Sequence, residues 1–243
     1  MGKGIFRFKQ FEVHHTHSSM PVGTDAVLLG AWTRIGRCAE DEGTHILDIG
    51  CGCGLIALMA AQRSISAHVL GIDVDAPSVA EANGNASASP FAPRVRFCEA
   101  DVREFAADAG RHAVFSLILC NPPYYTEDVM PPDQRRSIAR NAGHLSFAEL
   151  LAAVCLLLDG RGIFSVVIPM QARDAFVAEA LLRGLCLVRE CRVQTVVGKP
   201  PKRVLMEFGK GQCGRTVTET IVLQDAQGQR TSEYASLCAD FYL

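Results

Sequence analysis

From Thr44 to Gly184 the chain alternates short apolar runs with longer runs of strong helix formers, and few architectures accept that pattern. The segments "HILDIG" (45–50), "AHVLGIDVD" (67–75), "RVRFCEAD" (94–101), "VFSLILCN" (114–121) and "IFSVVIP" (163–169) read as strands. Between them "LIALMAAQR" (55–63), "APSVAEANGNAS" (76–87), "SFAELLAAVCLLL" (146–158, closed by "DGRG") and "RDAFVAEALLRG" (173–184) read as helices. Strands separated by helices pair in parallel, with helices covering both faces of the sheet. In such sheets ligands sit at the carboxyl ends of the strands, where the strand order switches. After Gly184 the rhythm changes: "LCLVRECRVQTVV" (185–197) and "KRVLMEFGK" (202–210), joined by "GKPP", predict an antiparallel hairpin. The following "TVTETIVLQDAQGQRTSEY" admits another strand, a turn and a short helix. Residues 1–43 form no strand–helix unit, so they are expected to be a cap or substrate-side extension ahead of a domain spanning 44–243.

A chain of 243 residues buries a substantial core in one domain. Its N-terminus, "MGKGIFRFKQF", lacks the apolar centre of a signal peptide, and no apolar run is long enough to span a membrane. Ten cysteines include no C-x-x-C pair, which predicts reduced thiols rather than a disulfide framework or a zinc site, and a cytoplasmic location. His14, His15 and His17 lack acids or cysteines at supporting spacing, so no metal is expected there. The net charge of −2 does not by itself advertise a nucleic-acid binder.

"LDIGCGCGL" sets Gly50, Gly52 and Gly54 between a strand and a helix, where glycine lets the backbone turn sharply and approach a ligand. The helix N-terminus beyond favours negative charge. A dinucleotide fingerprint needs a small residue at position 55, and Leu55 counts against NAD. Asp48 lies inside the apolar strand, an unusual place for an acid without a task. Asp73, at the end of the next strand, is placed to accept from ribose hydroxyls; Asp75 competes with it as a helix cap. Asp101 ends the third strand, where capping and acceptance from an adenine amino group are both open. Three acids at successive strand ends together favour a ligand.

"NPPYY" (121–125) then ends the fourth strand with an amide, a rigid turn and two rings. Two prolines cannot continue a sheet ladder. The side-chain carbonyl of Asn121 and the backbone carbonyl of Pro122 suit the hydrogens of a planar amine, Pro123 stiffens the turn, and the Tyr124 ring suits a stacked base.

The order of strand–"LDIGCGCG"–helix, Asp73, Asp101 and "NPPY" resembles the class I S-adenosylmethionine-dependent methyltransferases over roughly residues 44–210. The resemblance implies a doubly wound, mostly parallel, seven-stranded Rossmann-like α/β sheet ending in an antiparallel hairpin. It implies that the glycines line the methionine part of S-adenosylmethionine, that Asp73 holds the ribose and that Asp101 meets the adenine. "FKQF", the histidine pair, "VGTDAVLLGAW", "SPFAPRV", "ARNAGHLSFAELL" and "YASLCADFYL" resemble the bacterial tRNA1(Val) (adenine-37 N6) methyltransferases, with Pro21 departing from the lysine expected there. That similarity spans nearly the whole chain. It implies methyl transfer to N6 of adenine 37 in a tRNA anticodon loop; no membrane partner is expected, and of the oligomeric states, which the sequence leaves open, a monomer is favoured. It places the loop holding Thr24 and Asp25 over the cofactor pocket, although "VGTDA" also reads as a helix start capped by one of those two residues. Asp48 and Asn121 are expected beside the same pocket. Lys9, Arg136, Arg140, Lys199, Lys202 and Arg203 are expected to project around it toward RNA phosphates. Rival readings are the same chemistry on guanine N2 or a protein glutamine, and a non-catalytic RNA-binding module. The glutamine enzymes usually carry a longer helical N-terminal domain, and the intact "NPPY" argues against a pure binder.

Overall fold

The computed structural model describes residues 4–18, 22–36, 43–122, 145–211 and 213–243. A two-stranded antiparallel sheet, β1 (Ile5–Arg7) and β2 (Glu12–His14), precedes helix α1 (Thr24–Trp32). There follow β3 (His45–Ile49), α2 (Leu55–Arg63), β4 (His68–Asp73), α3 (Ala76–Ser87), β5 (Val95–Glu99), α4 (Val102–Ala107) and β6 (Phe115–Cys120). The remaining elements are α5 (Phe147–Leu157), β7 (Leu158–Pro169), α6 (Arg173–Leu182), β8 (Leu185–Val196), β9 (Arg203–Lys210), β10 (Val217–Gln224) and α7 (Ser232–Leu237).

Eight strands form the main sheet, in the order β10-β8-β9-β7-β6-β3-β4-β5. β7, β6, β3, β4 and β5 run parallel, whereas β9 lies antiparallel between β7 and β8. Side chains alternate between the faces of each strand, so each strand feeds two cores. Ile46, Val69, Leu117 and Leu119 meet α1, α2 and α3 in one apolar cluster; Leu47, Ile72, Ile118 and Cys120 meet α4, α5 and α6 in the other. Local capping fixes where helices start. Asp75 accepts from Ser78 N at 3.1 Å to open α3, and Ser146 and Glu149 form a reciprocal capping box at the start of α5.

Three details differ from the sequence-based expectation. The sheet has eight strands, because Val217–Gln224 turns Ile221 and Leu223 inward and pairs in parallel with the outer edge of β8. Asp159–Gly162 opens β7 rather than closing the preceding helix. Cys186 and Cys213 are joined by a disulfide across 27 residues, contrary to the expectation of reduced thiols throughout. The β8–β9 hairpin places Gly209 opposite Cys186, so the chain leaving β9 returns Cys213 to the start of β8, a proximity invisible in linear spacing. The N-terminal residues Phe8, Phe11 and Val13 and helix α1 pack into the same core as α2 and α3.

Candidate active site

Register sets the geometry. Ile49 pairs with Ile72 on one side and with Cys120 on the other. Gly50, Asp73 and Asn121 therefore leave three adjacent strands at one level, and interstrand spacing of about 4.8 Å separates the two outer residues by roughly 10 Å of backbone. The ends of these central strands thus form one short row: an acid, a glycine turn and an amide.

The glycine turn is held from several directions. Gly50 and Cys51 donate their N–H groups to Ile72 O at 2.8 and 3.1 Å, and Gly54 N donates to Cys51 O at 2.8 Å. Asp73 Oδ2 accepts from Gly52 N at 2.9 Å, and its Oδ1 accepts from Asp75 N at 3.0 Å. Glycine is required at position 54, where φ is +84° and a Cβ would come within 2.6 Å of the Phe97 ring. At Gly50, by contrast, a Cβ would meet no atom within 4 Å, so the backbone there is open to approach.

Asp48 is fully buried beneath the turn, and its Oδ2 accepts from Ala57 N in the first turn of α2 at 3.1 Å. Its Oδ1 meets no hydrogen-bond partner among the described residues. Burial raises the carboxyl to about 7; the Ala57 N–H opposes this, and the charge of Asp73 adds to it. The unfolded chain releases this proton near the ordinary aspartate value, whereas the folded chain keeps it until about pH 7. Stability contributed by Asp48 is therefore lost as pH climbs between those values. We expect Asp48→Asn to flatten the fall in stability between about pH 4 and about pH 7, an effect on the order of a few kcal/mol. Chemical denaturation across that range measures it, and an unchanged slope refutes it.

Cys51, Cys53 and Cys120 surround this carboxyl, and their thiols are all pushed up, chiefly by burial, that of Cys53 to about 11. Asp101 caps α4 by accepting from Arg103 N at 2.8 Å, and it also accepts from Arg103 Nε at 2.9 Å. Hydrogen bonding to Arg103 is the main cause holding its carboxyl below the ordinary range. The capping role is present, then, and a carboxylate's several lone pairs leave capacity for one more donor. Arg103, which reaches on to Glu149 at 3.2 Å, was not anticipated from sequence.

Neither Thr24 nor Asp25 caps α1; Gly23 holds that position without a side-chain bond. Asp25 instead accepts from Arg203 Nε at 2.8 Å. Arg203 pairs with Pro169 at the carboxyl end of β7, so this ion pair brings the start of α1 to the same sheet edge as Asn121. Lys199 and Lys202 are exposed in the β8–β9 turn at that edge. Arg203 thus pairs with Asp25 and stays partly exposed at this edge. Lys9 is exposed, and its Nζ donates to Ala239 O at 2.6 Å. The neighbouring Asp240 O accepts from Gln62, in the last turn of α2, so Lys9 lies toward the amino end of the sheet. Asn121 is half-buried and Pro122 buried, whereas Pro123, Tyr124, Arg136 and Arg140 lie outside the described residues.

The groups present fit S-adenosylmethionine by their chemistry: an open glycine backbone, a half-buried carboxylate on the neighbouring strand, and a buried carboxyl oxygen without a partner among the described residues. No cluster of metal-ligating side chains occurs among the described residues, and no described helix is long and apolar enough to cross a membrane.

Comparison with known proteins shows which family and which fold this chain resembles. The model of the methyltransferase small domain matches residues 30–146. The tRNA1(Val) (adenine(37)-N6)-methyltransferase of Phocaeicola vulgatus is 38% identical over 243 residues, covering 100% of this chain and 99% of the relative. The enzyme of the same name from Bacteroides fragilis is 40% identical over 245 residues, again covering 100% and 99%. That of Shewanella amazonensis is 38% identical over 98% of each chain. Among solved structures, a "predicted O-methyltransferase" of Agrobacterium tumefaciens superposes with a TM-score of 0.68 at 19% identity, covering 89% of this chain and 96% of that one. The methyltransferase subunit of a type I restriction-modification system from Streptococcus thermophilus gives 0.63 at 17% identity, covering 93% and 53%. These two likenesses show the fold.

Proposed function

Since the chain belongs to the tRNA1(Val) (adenine(37)-N6)-methyltransferase family, we propose that its row of strand-end residues brings a methyl donor and the amine of adenine 37 together. It is an S-adenosylmethionine-dependent methyltransferase that modifies N6 of adenine 37 in tRNA, and tRNA1(Val) is its substrate in this reading. The observation that carries the residue assignment is the shared level of Asp73, Gly50 and Asn121 across β4, β3 and β6.

Bound S-adenosylmethionine supplies an electrophilic methyl carbon. The turn at Gly50, Gly52 and Gly54, with Asp48 beneath it, is assigned the methionine end; Asp73 is assigned the ribose and Asp101 the adenine amino group. Asn121 and the Pro122 carbonyl accept the two hydrogens of the target amine, which holds its nitrogen facing the donor. That amine is conjugated to the ring, and its lone pair is delocalised. Orientation therefore matters more than proton removal before attack, and no strong base is needed. Tyr124 is assigned to stack on the flipped base, as its place after Pro123 suggests.

The exposed Lys199 and Lys202 are assigned to tRNA phosphates, and such a substrate puts the protein with the cytoplasmic tRNA pool. Reversing both charges, Lys199→Glu/Lys202→Glu, should weaken tRNA binding at least about tenfold and flatten its salt dependence, with donor affinity unmoved. Equal losses of both affinities, in parallel titrations, would sink the patch.

The reaction itself is tested with purified protein, radiolabelled S-adenosylmethionine and unmodified tRNA, followed by nucleoside analysis. Label in N6-methyladenosine at position 37 is the expected product. Label on guanosine or in protein would reassign the amine.

A further inference from the structure

Helix α3 carries two side chains that fasten the N-terminal segment against the glycine turn. Glu81 accepts backbone N–H groups from Thr16 at 2.7 Å, from His17 at 3.1 and 3.2 Å, and from Ser18 at 2.9 Å. Three consecutive N–H groups converging on one carboxylate make a nest, in which the negative charge is held by main-chain dipoles. One helical turn later stands Asn85, only 2% exposed. Its Oδ1 accepts from His14 N at 2.9 Å, while its Nδ2 donates to His14 O at 2.8 Å and to Cys53 O at 2.9 Å. Cys53 lies between Gly52 and Gly54, so a single buried amide ties β2, α3 and the glycine turn together. At the far end of the fastened segment, Ser18 Oγ comes within 3.2 Å of the place a Cβ on Gly52 would take.

A turn with positive φ at positions 50, 52 and 54 has little preference for one shape without outside bonds. Asp73 fixes its Gly52 N–H, and Asn85 fixes its Cys53 carbonyl. We infer that Glu81 and Asn85 are positioning residues for the methyl-donor site: they seat Thr16–Ser18 beside Gly52 and hold the glycine turn in the shape the donor meets. The inference rests on the assignment of that turn to S-adenosylmethionine. Glu81 is half-buried on the surface of α3, and its removal leaves the apolar core filled.

The experiment measures donor affinity, tRNA affinity and kcat for Glu81→Ala, Glu81→Gln, Asn85→Asp and the control Gly52→Val. Losing bonds to a charged acceptor should raise KM for the donor about tenfold in Glu81→Ala, with kcat and tRNA affinity within about twofold. Glu81→Gln keeps a carbonyl acceptor and should recover most of that loss. Asn85→Asp, which surrenders both donated bonds, should exceed it. Faster amide exchange at residues 16–18 in Glu81→Ala should accompany the change. Unaltered donor affinity in Glu81→Ala, with binding abolished in Gly52→Val, overturns the clasp and leaves the turn assignment standing. Normal donor binding by Gly52→Val overturns both. Equal loss of donor and tRNA affinity would reveal general damage and likewise overturns the positioning role.

Discussion

Asn121→Ala should lower kcat by roughly a thousandfold while leaving donor affinity within a fewfold of wild type. The amide follows Cys120 at the end of β6, whose register with β3 sets it level with Gly50. Alanine removes the acceptor proposed to hold one hydrogen of the target amine, and the planar group then turns freely relative to the donor. Misplacement by about 1 Å already costs on the order of a hundredfold, and loss of an oriented polar contact adds to it. Single-turnover transfer from radiolabelled donor to unmodified tRNA reads this directly, with calorimetry of S-adenosylhomocysteine as the binding control. Retained turnover would remove Asn121 from the reaction, and a matching collapse of donor affinity would move it to the donor side.

The second large effect is expected at Asp73. Its two carboxylate oxygens accept from Gly52 N and Asp75 N, so it shapes the turn even before it meets a ribose. Hydrogen bonds to a charged group are worth about 1.5–3 kcal/mol each, or roughly ten- to a hundredfold in affinity. Asp73→Ala should therefore weaken donor binding by a hundredfold or more on that scale, with tRNA affinity preserved. Asp75→Ala is the internal comparison: it loses the cap on α3, costing about 1 kcal/mol of stability and little donor affinity. If the two variants bind the donor equally well, Asp73 serves only the fold.

How far these features could be read from sequence depended on their range. The parallel core was legible because "HILDI" and "FSLILC" advertise buried strands, and Asp75 was legible as a cap because its partner, Ser78, is three residues away. The hairpin of β8 and β9 likewise followed from its two apolar runs and their proline-containing link. Long-range pairings were opaque. Nothing local says that Val217–Gln224 joins β8, that Cys213 returns to Cys186, or that Lys9 is held by Ala239. Asp25 and Arg203 were each weighed alone, yet 178 residues apart they bind one another. Glu81 and Asn85 escaped notice for the same reason. Within "AEANGNAS" they read as ordinary helical surface, and only the fold reveals the backbone they hold.

The thiols beside the donor site have a consequence for the protein's own survival. S-adenosylmethionine is an alkylating agent, and a thiolate is among the best acceptors a protein can offer it. Cys51, Cys53 and Cys120 lie in or next to the segments assigned to the donor, close enough for self-modification to be a hazard. Burial, with the added negative charge of Asp48, keeps all three as S–H, a form with little nucleophilicity. The same dry packing that closes the core beneath the turn thus doubles as chemical insulation, leaving the amine held outside it as the group open to alkylation.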